Sequence, residues 1–488
     1  VPARCAIATR ENYTENEFRF KITKDETDAR RVTQKYFNRI LASARSRLMT
    51  FAFSEFVAKL VGTFVLSVLL FPVFGSAQNI SSPRRWLDPV EPPFAFSSHT
   101  LAGSPDILLG LRDVSASADI GPSDPTTALL EWTRLSLTLI QKYRQNPQRA
   151  VRTLALLHAS MHDAFALARV SERDRDGGLA AAHRAVSLTL AYLYPYDSVA
   201  WIEGRGLALA YRWAALGKAT PERLRRELEI GESVAADAMR RALADGGDRR
   251  TASPPPLSGD PGRWRGTPPL NIQVPQEPLA GDWRPWIEGD RELEPPAPSA
   301  YGSAAFWKEA EEVYKVSKEL TPRQKKIAED WNLQAGSVTP PGVWNLRALE
   351  LISAEKLDPL AAARVLAALN IAMDDAAIAC WRAKYRWWTV RPVTVIRERY
   401  DPKFLPHLIT PPHPSYVSGH STVSGAAEVA LVAFFPAHRA ALHDYAEEAA
   451  MSRLWGGIHY RSDNEQGLAL GRRVGERVAR RALAMDSR

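Results

Sequence analysis

The chain has 488 residues, a formal net charge of +8, 45% hydrophobic residues and 24% charged residues. These are globular proportions with material for a large core, so collagenous and low-complexity classes are excluded. Residues 1–77 hold twelve Lys/Arg against seven Asp/Glu; the remainder carries only about +3, and nucleic acid is not an expected partner.

Residues 1–48 are polar and lack an apolar period. From Met49 the pattern changes. Lys59 leads an apolar stretch, Leu60–Phe74, followed by Gly75-Ser76-Ala77. That is the layout of a secretory signal peptide, with small residues before the cleavage point. The expectation is a signal peptide over 49–77, translation starting at Met49, and 1–48 an over-extended start or disordered. The product would be exported to the periplasm or the extracellular space. The alternative is an anchor over 60–77. Its apolar core falls short of the roughly 20 residues needed to cross a bilayer, so no stable membrane insertion of the mature chain is expected. A third reading is a buried core helix. The cysteines are Cys5 and Cys380. They form no metal motif, and Cys380, in an Ala/Ile-rich helix, is expected to be a buried inert thiol.

Residues 78–125 are rich in Ser and Pro and read as a leader. Apolar residues then recur at three and four through "ALLEWTRLSLTLIQKYR", "VRTLALLHASMHDAFALA", "AAAHRAVSLTLAYLYP" and "RLRRELEIGESVAADAMRRALADG", with Gly246-Gly247 as a stop. This predicts an N-terminal helical bundle over 126–250. A Pro/Gly/Trp-rich crossing loop fills 251–300. Helices resume over 301–488, among them a long one ending before Pro392, then 421–435, 437–453 and about 459–484. No strand pattern and no short-period repeat is visible. The predicted class is all-α, two packed helical bundles.

His158 and His162 lie four apart on one helix face beside Asp163. The spacing could hold zinc, but no Glu lies between them and no third ligand is evident; a structural face is the expected role.

Three clusters lie near predicted helix ends. In "WRAKYRWWTVRP", Lys384 and Arg391 are two helical turns apart and would share a face with Trp381 and Trp388. In "HPSYVSGHSTVSG", Ser418 can cap a helix and Gly419 lets backbone come close. Free N–H groups there would face an anion, and His420 could hand over a proton. In "SRLWGGIHYRSD", Gly456-Gly457 breaks a helix and can fold Arg453 and His459 toward one point, with Asp463 one turn on to hold the ring. Each cluster alone is weak, and each has a plain alternative: a solvated stripe, an N-cap, a surface acid. Together they supply three cations, a hydroxyl, backbone donors and two imidazoles, a receptor for a highly charged tetrahedral oxyanion.

This trio resembles the signature of the vanadium-dependent haloperoxidase and type 2 phosphatidic acid phosphatase superfamily, most clearly over 330–484. "LALLHASMHDAFALA" and "AAAHR" also resemble the N-terminal half of its bacterial haloperoxidases. The resemblance implies an all-α fold with the oxyanion site at one bundle end. It implies a vanadate cofactor at V(V), held by Lys384, Arg391, Arg453, Ser418 and the N–H of Gly419. His459 would be the axial vanadium ligand and His420 the acid–base residue. Trp381 and His413 match halide-pocket positions, and His413 points to bromide or iodide. Hydrogen peroxide, halide and an organic acceptor would be the partners, and hypohalous acid the product. Two alternatives use the same residues. One is a secreted acid phosphatase with a phosphohistidine at His459. The other is a non-catalytic oxyanion-binding protein. Val417 stands where the family has Pro before Ser-Gly-His, which predicts a looser cradle.

Overall fold

The computed structural model describes residues 85–88, 124–169, 177–217, 219–250, 259–289 and 293–485. The expected signal peptide and the start at Met49 lie outside them. Among the described residues there are α-helices, short 3-10 turns and two isolated bridges, but no strand. No described helix is long and apolar enough to cross a membrane.

The first helices are α1 (Pro125–Lys142), α2 (Pro147–Ala168), α3 (Leu179–Leu193), α4 (Val199–Leu216) and α5 (Pro221–Ala244). Then come α6 (Ala304–Lys318), α7 (Pro322–Asp330), α8 (Thr339–Ala354), α9 (Pro359–Trp387), α10 (Pro392–Arg399), α11 (Gly419–Phe434), α12 (Arg439–Trp455) and α13 (Arg461–Ala484). Several starts are chemically marked. Asp124, Asn146, Thr220, Thr321 and Asp358 each accept from the N–H three residues on, and proline follows each. Helices α4 and α10 were not expected from the sequence. Gly204 and Gly206 dilute the helical signal of α4, and α10 is only eight residues long.

The two halves of the helical chain repeat one another. "LALLHASMHDA" of α2 (154–164) matches "LAALNIAMDDA" of α9 (366–376), and "GESVAADAMRRALA" of α5 (231–244) matches "GRRVGERVARRALA" of α13 (471–484). Equivalent residues make equivalent contacts. The indole N–H of Trp132 on α1 donates to His183 on α3 at 2.9 Å, and that of Trp344 on α8 donates to Ser424 on α11 at 3.0 Å. Asp163 accepts from the backbone N–H groups of Trp86 and Leu87; Asp375 accepts from those of Trp286 and Ile287. Arg481 lies over the Trp86 ring, Arg241 over that of Trp286. His158 and its counterpart Asn370 meet each other at 3.0 Å, where α2 crosses α9.

The repeat explains the core. Small residues let α2, α3 and α5 pack closely, as they do α9, α11 and α13. Gly471 is the extreme case, where an added Cβ would lie 1.9 Å from the Thr422 carbonyl. The largest apolar cluster runs through both sets of helices, from Leu129 and Leu157 to Leu366 and Leu431. The repeats differ at one end. α2 stops at Ala168, whereas α9 runs on past the equivalent Cys380 to Trp387. The segment 388–418 then precedes α11. That extra length builds the site.

Candidate oxyanion site

Lys384 sits in the extra turns of α9 and is buried. Its ammonium donates to the carbonyls of Pro414 and Ser415, at 2.9 and 2.8 Å. The helix does not continue to Arg391 as the seven-residue spacing predicts. It stops at Trp387, and Trp388 turns the chain with φ +52°, its indole donating to the Trp264 carbonyl. Trp388 therefore leaves the face of Trp381 and packs on Trp264 and Tyr385. Arg391 instead caps α10 in an extended conformation, because Pro392 forces it out of the helical region. A chain reversal, and not a shared helix face, brings lysine and arginine to the same segment.

Arg391 joins three parts of the chain. It donates to the His413 carbonyl at 2.8 Å, to His413 Nδ1 at 2.9 Å, to the Ile458 carbonyl at 2.7 Å and to His459 Nε2 at 3.1 Å. Arg453 lies in the last turn of α12. Gly457, at φ +73°, ends that helix, and Ile458 N–H returns to the Arg453 carbonyl at 3.2 Å. His459 follows at once. Its Nδ1 lies 2.8 Å from Asp463 Oδ2. An ionised carboxylate only accepts, so Nδ1 carries the proton and Nε2 keeps the lone pair, which accepts from Arg391. Asp463 is buried and also accepts from Ser415 Oγ at 2.5 Å and Tyr460 N–H at 3.1 Å.

Ser418 is the N-cap of α11, accepting from Ser421 N–H at 3.4 Å. A Cβ on Gly419 would stand 3.2 Å from the Trp381 ring, so glycine is what lets this helix start lie against that indole. His420 Nε2 lies 2.9 Å from the Trp331 carbonyl. The looseness expected from Val417 is not found. Ser415 and Tyr416 N–H go to Thr389, Ser418 N–H to the Asp463 carbonyl, and two carbonyls to Lys384. Hydrogen bonds supply the stiffness that a proline would have given.

One pocket gathers these groups. It is lined by Trp381, His413, Gly419, His420 and His459 together with Gln148, Gln276, Gln334, Pro340 and Pro341. Lys384, Arg391 and Arg453 lie behind it, and the charges of all three bear on His459. None of the three is ion-paired with a carboxylate among the described residues, although each is fully buried. Unpaired buried cations cost several kcal/mol each. Burial accordingly pushes Lys384 down to about 7, Arg391 to about 10 and Arg453 to about 9. It holds His413, His420 and His459 well below the usual imidazole range, with neighbouring cations adding to the effect. One guanidinium N–H group of Arg453, at Nη1, has no partner at all. An oxyanion would relieve each of these penalties at once. The donor set therefore fits vanadate or phosphate, and His459 Nε2 is the nitrogen that would hold it.

The family described as VCPO second helical-bundle domain matches residues 364–443 and 436–486. A bacterial vanadium-dependent iodoperoxidase is similar in structure with TM-score 0.64 and 27% sequence identity, over 74% of this chain and 97% of the other. The second half of the chain thus carries a VCPO-type helical-bundle domain, and the chain is similar over most of its length to a bacterial vanadium-dependent haloperoxidase. Two structures of bacterial vanadium-dependent chloroperoxidase share the haloperoxidase fold. The apo form has TM-score 0.54 and 16% identity over 70% of this chain and 95% of the other. The holo form has TM-score 0.53 and 17% identity, over 77% and 96%. No curated protein sequence matches the chain.

His158 and His162 have other work in this fold. His158 bonds Thr133, the Leu154 carbonyl and Asn370, while His162 bonds Asp163. No metal-binding group of three or more His, Cys, Asp or Glu occurs among the described residues. Cys380 is a free buried thiol. Sequence reasoning missed the pocket's glutamines and the carbonyls of Ala328 and Trp331. The glutamines come from the start of α2, the crossing loop and the turn before α8. A neutral amide in a loop, or a main-chain oxygen, carries no sequence signal.

Proposed function

We propose that this chain is a vanadate-dependent haloperoxidase that uses hydrogen peroxide to oxidise iodide or bromide to hypohalous acid. The observation that carries this is the cluster of three buried cations, none of them ion-paired with a carboxylate among the described residues, beside the lone-pair Nε2 of an Asp-held histidine. The iodoperoxidase likeness over nearly the whole of that protein supports the halide chemistry. Bound vanadate would supply a Lewis-acid centre that polarises peroxide toward halide.

The chain's own residues do the rest. Lys384, Arg391 and Arg453 would hold and neutralise vanadate, with Ser418 Oγ and Gly419 N–H completing the cradle. His459 would hold the metal through Nε2, with Asp463 fixing its tautomer. His420, neutral because of burial and the Arg453 charge, accepts a proton from peroxide and returns it to the departing product. Trp381 and His413, ring centroids 5.1 Å apart, form the apolar wall on which halide would rest. His413 in place of a purely apolar ring favours the larger halides. We also propose that the chain is exported through residues 49–77, and that 126–250 and 301–488 act as the two bundles joined by the 251–300 loop.

The test is to load the protein with orthovanadate and measure peroxide-dependent iodination and bromination beside phosphomonoester hydrolysis. Halogenation that is lost in His459→Ala is expected. Hydrolysis without halogenation would overturn the reading in favour of a phosphatase.

A further inference from the structure

The short helix α7 offers the site main-chain carbonyls from its end. Arg453 Nη2 donates to the Ala328 carbonyl at 3.1 Å, and His420 Nε2–H to that of Trp331 at 2.9 Å. Both oxygens belong to the end of α7, where carbonyls have no partner further along the helix and carry the negative end of its dipole. Asn332 N–H goes to Glu329 instead, which leaves the Ala328 oxygen to Arg453. A carbonyl can only accept. In a neutral ring held to it, Nε2 keeps the proton and Nδ1 keeps the lone pair.

Trp331 is itself pinned. It is buried, its indole N–H donates to Glu448 on α12 at 3.1 Å, and its ring lies 4.9 Å from that of Tyr445. We propose that Trp331 is the positioning residue for His420. Anchored by Glu448, it fixes the ring as the Nε2–H tautomer and makes Nδ1 the nitrogen that exchanges protons in the pocket. The kinetic consequence rests on the haloperoxidase reading; the tautomer does not.

The test is nitrogen-15 NMR of the histidine rings in the full chain, with His420 assigned by difference against His420→Ala. Wild type is expected to show only the Nε2–H form at His420. Trp331→Phe and Glu448→Ala should populate the Nδ1–H form as well. They should also move the pH profile of kcat and lower kcat by about fivefold, with halide KM unchanged. Glu448→Gln, whose amide oxygen still accepts from the indole, should behave as wild type. An unchanged tautomer and pH profile in both disruptive variants would overturn the proposal. So would a Glu448→Gln variant as impaired as Glu448→Ala. Glu448 is only half-buried, so its variants answer the question even where Trp331→Phe does not fold. A chain that never halogenates would sink the functional reading and leave the tautomer to be judged on its spectrum.

Discussion

Lys384 is buried, bonded to two carbonyls and ion-paired with no carboxylate among the described residues, and burial drives it down to about 7. The sign of its linkage follows. Between that value and the usual lysine range, the unfolded chain binds a proton that the anion-free folded chain does not, so folding releases one and stability rises with pH. An anion in the pocket reverses this by favouring the charged amine. Binding of sulfate, which does not itself titrate near neutrality, should therefore take up about one proton at pH 8.5. Calorimetry in buffers of different ionisation enthalpy reads that number directly. Lys384→Met should bind sulfate more weakly and without proton uptake; uptake that persists in the variant would assign the proton elsewhere. His459 shows the complementary logic. That Nε2 and not Nδ1 keeps its lone pair is a consequence of Asp463, a residue whose surface alternative was equally open in the sequence and which the structure buries.

Helix ends, and not helix faces, carry the chemistry. Pro392, Ser418 and Gly456-Gly457 were legible because termini have strong local signals: a ring that forbids helix, a hydroxyl that caps, a residue that tolerates positive φ. The shared face of Lys384 and Arg391 was misread because Trp388 ends α9 before the second turn is complete, and no spacing rule forbids an indole there. The packing of α11 on α13 makes its own prediction. Gly471→Ala would drive a methyl into the Thr422 carbonyl, a main-chain atom that cannot rotate away. It should destabilise the protein by about 3 kcal/mol or more in urea unfolding. Gly231→Ala, its counterpart in α5, meets the Ala181 carbonyl at the looser distance of 2.6 Å and should cost less. Equal effects would mean that the two repeats are not packed as described.

The described helices form a duplicated bundle of which one copy holds a site. The repeat was present in the sequence all along, in the pairs "MHDA" and "MDDA" and in "RRALA" twice, but its long period and sparse identities hide it from a search for short periods. Its consequence was out of reach of sequence: the extra turns of α9 and the segment 388–418 gather Lys384, Arg391 and 413–418 against the end of α12. The glutamines and the α7 carbonyls reach the pocket from segments far away in the chain, which no local pattern records. Everything proposed for function rests on that gathering. The most direct measurement is a crystal structure of the protein soaked with orthovanadate, with anomalous data collected at the vanadium edge. The account predicts one vanadium peak at bonding distance from His459 Nε2, with its oxygens in reach of Lys384, Arg391 and Arg453. A pocket without vanadium, or vanadium bound with His459 uninvolved, would contradict it.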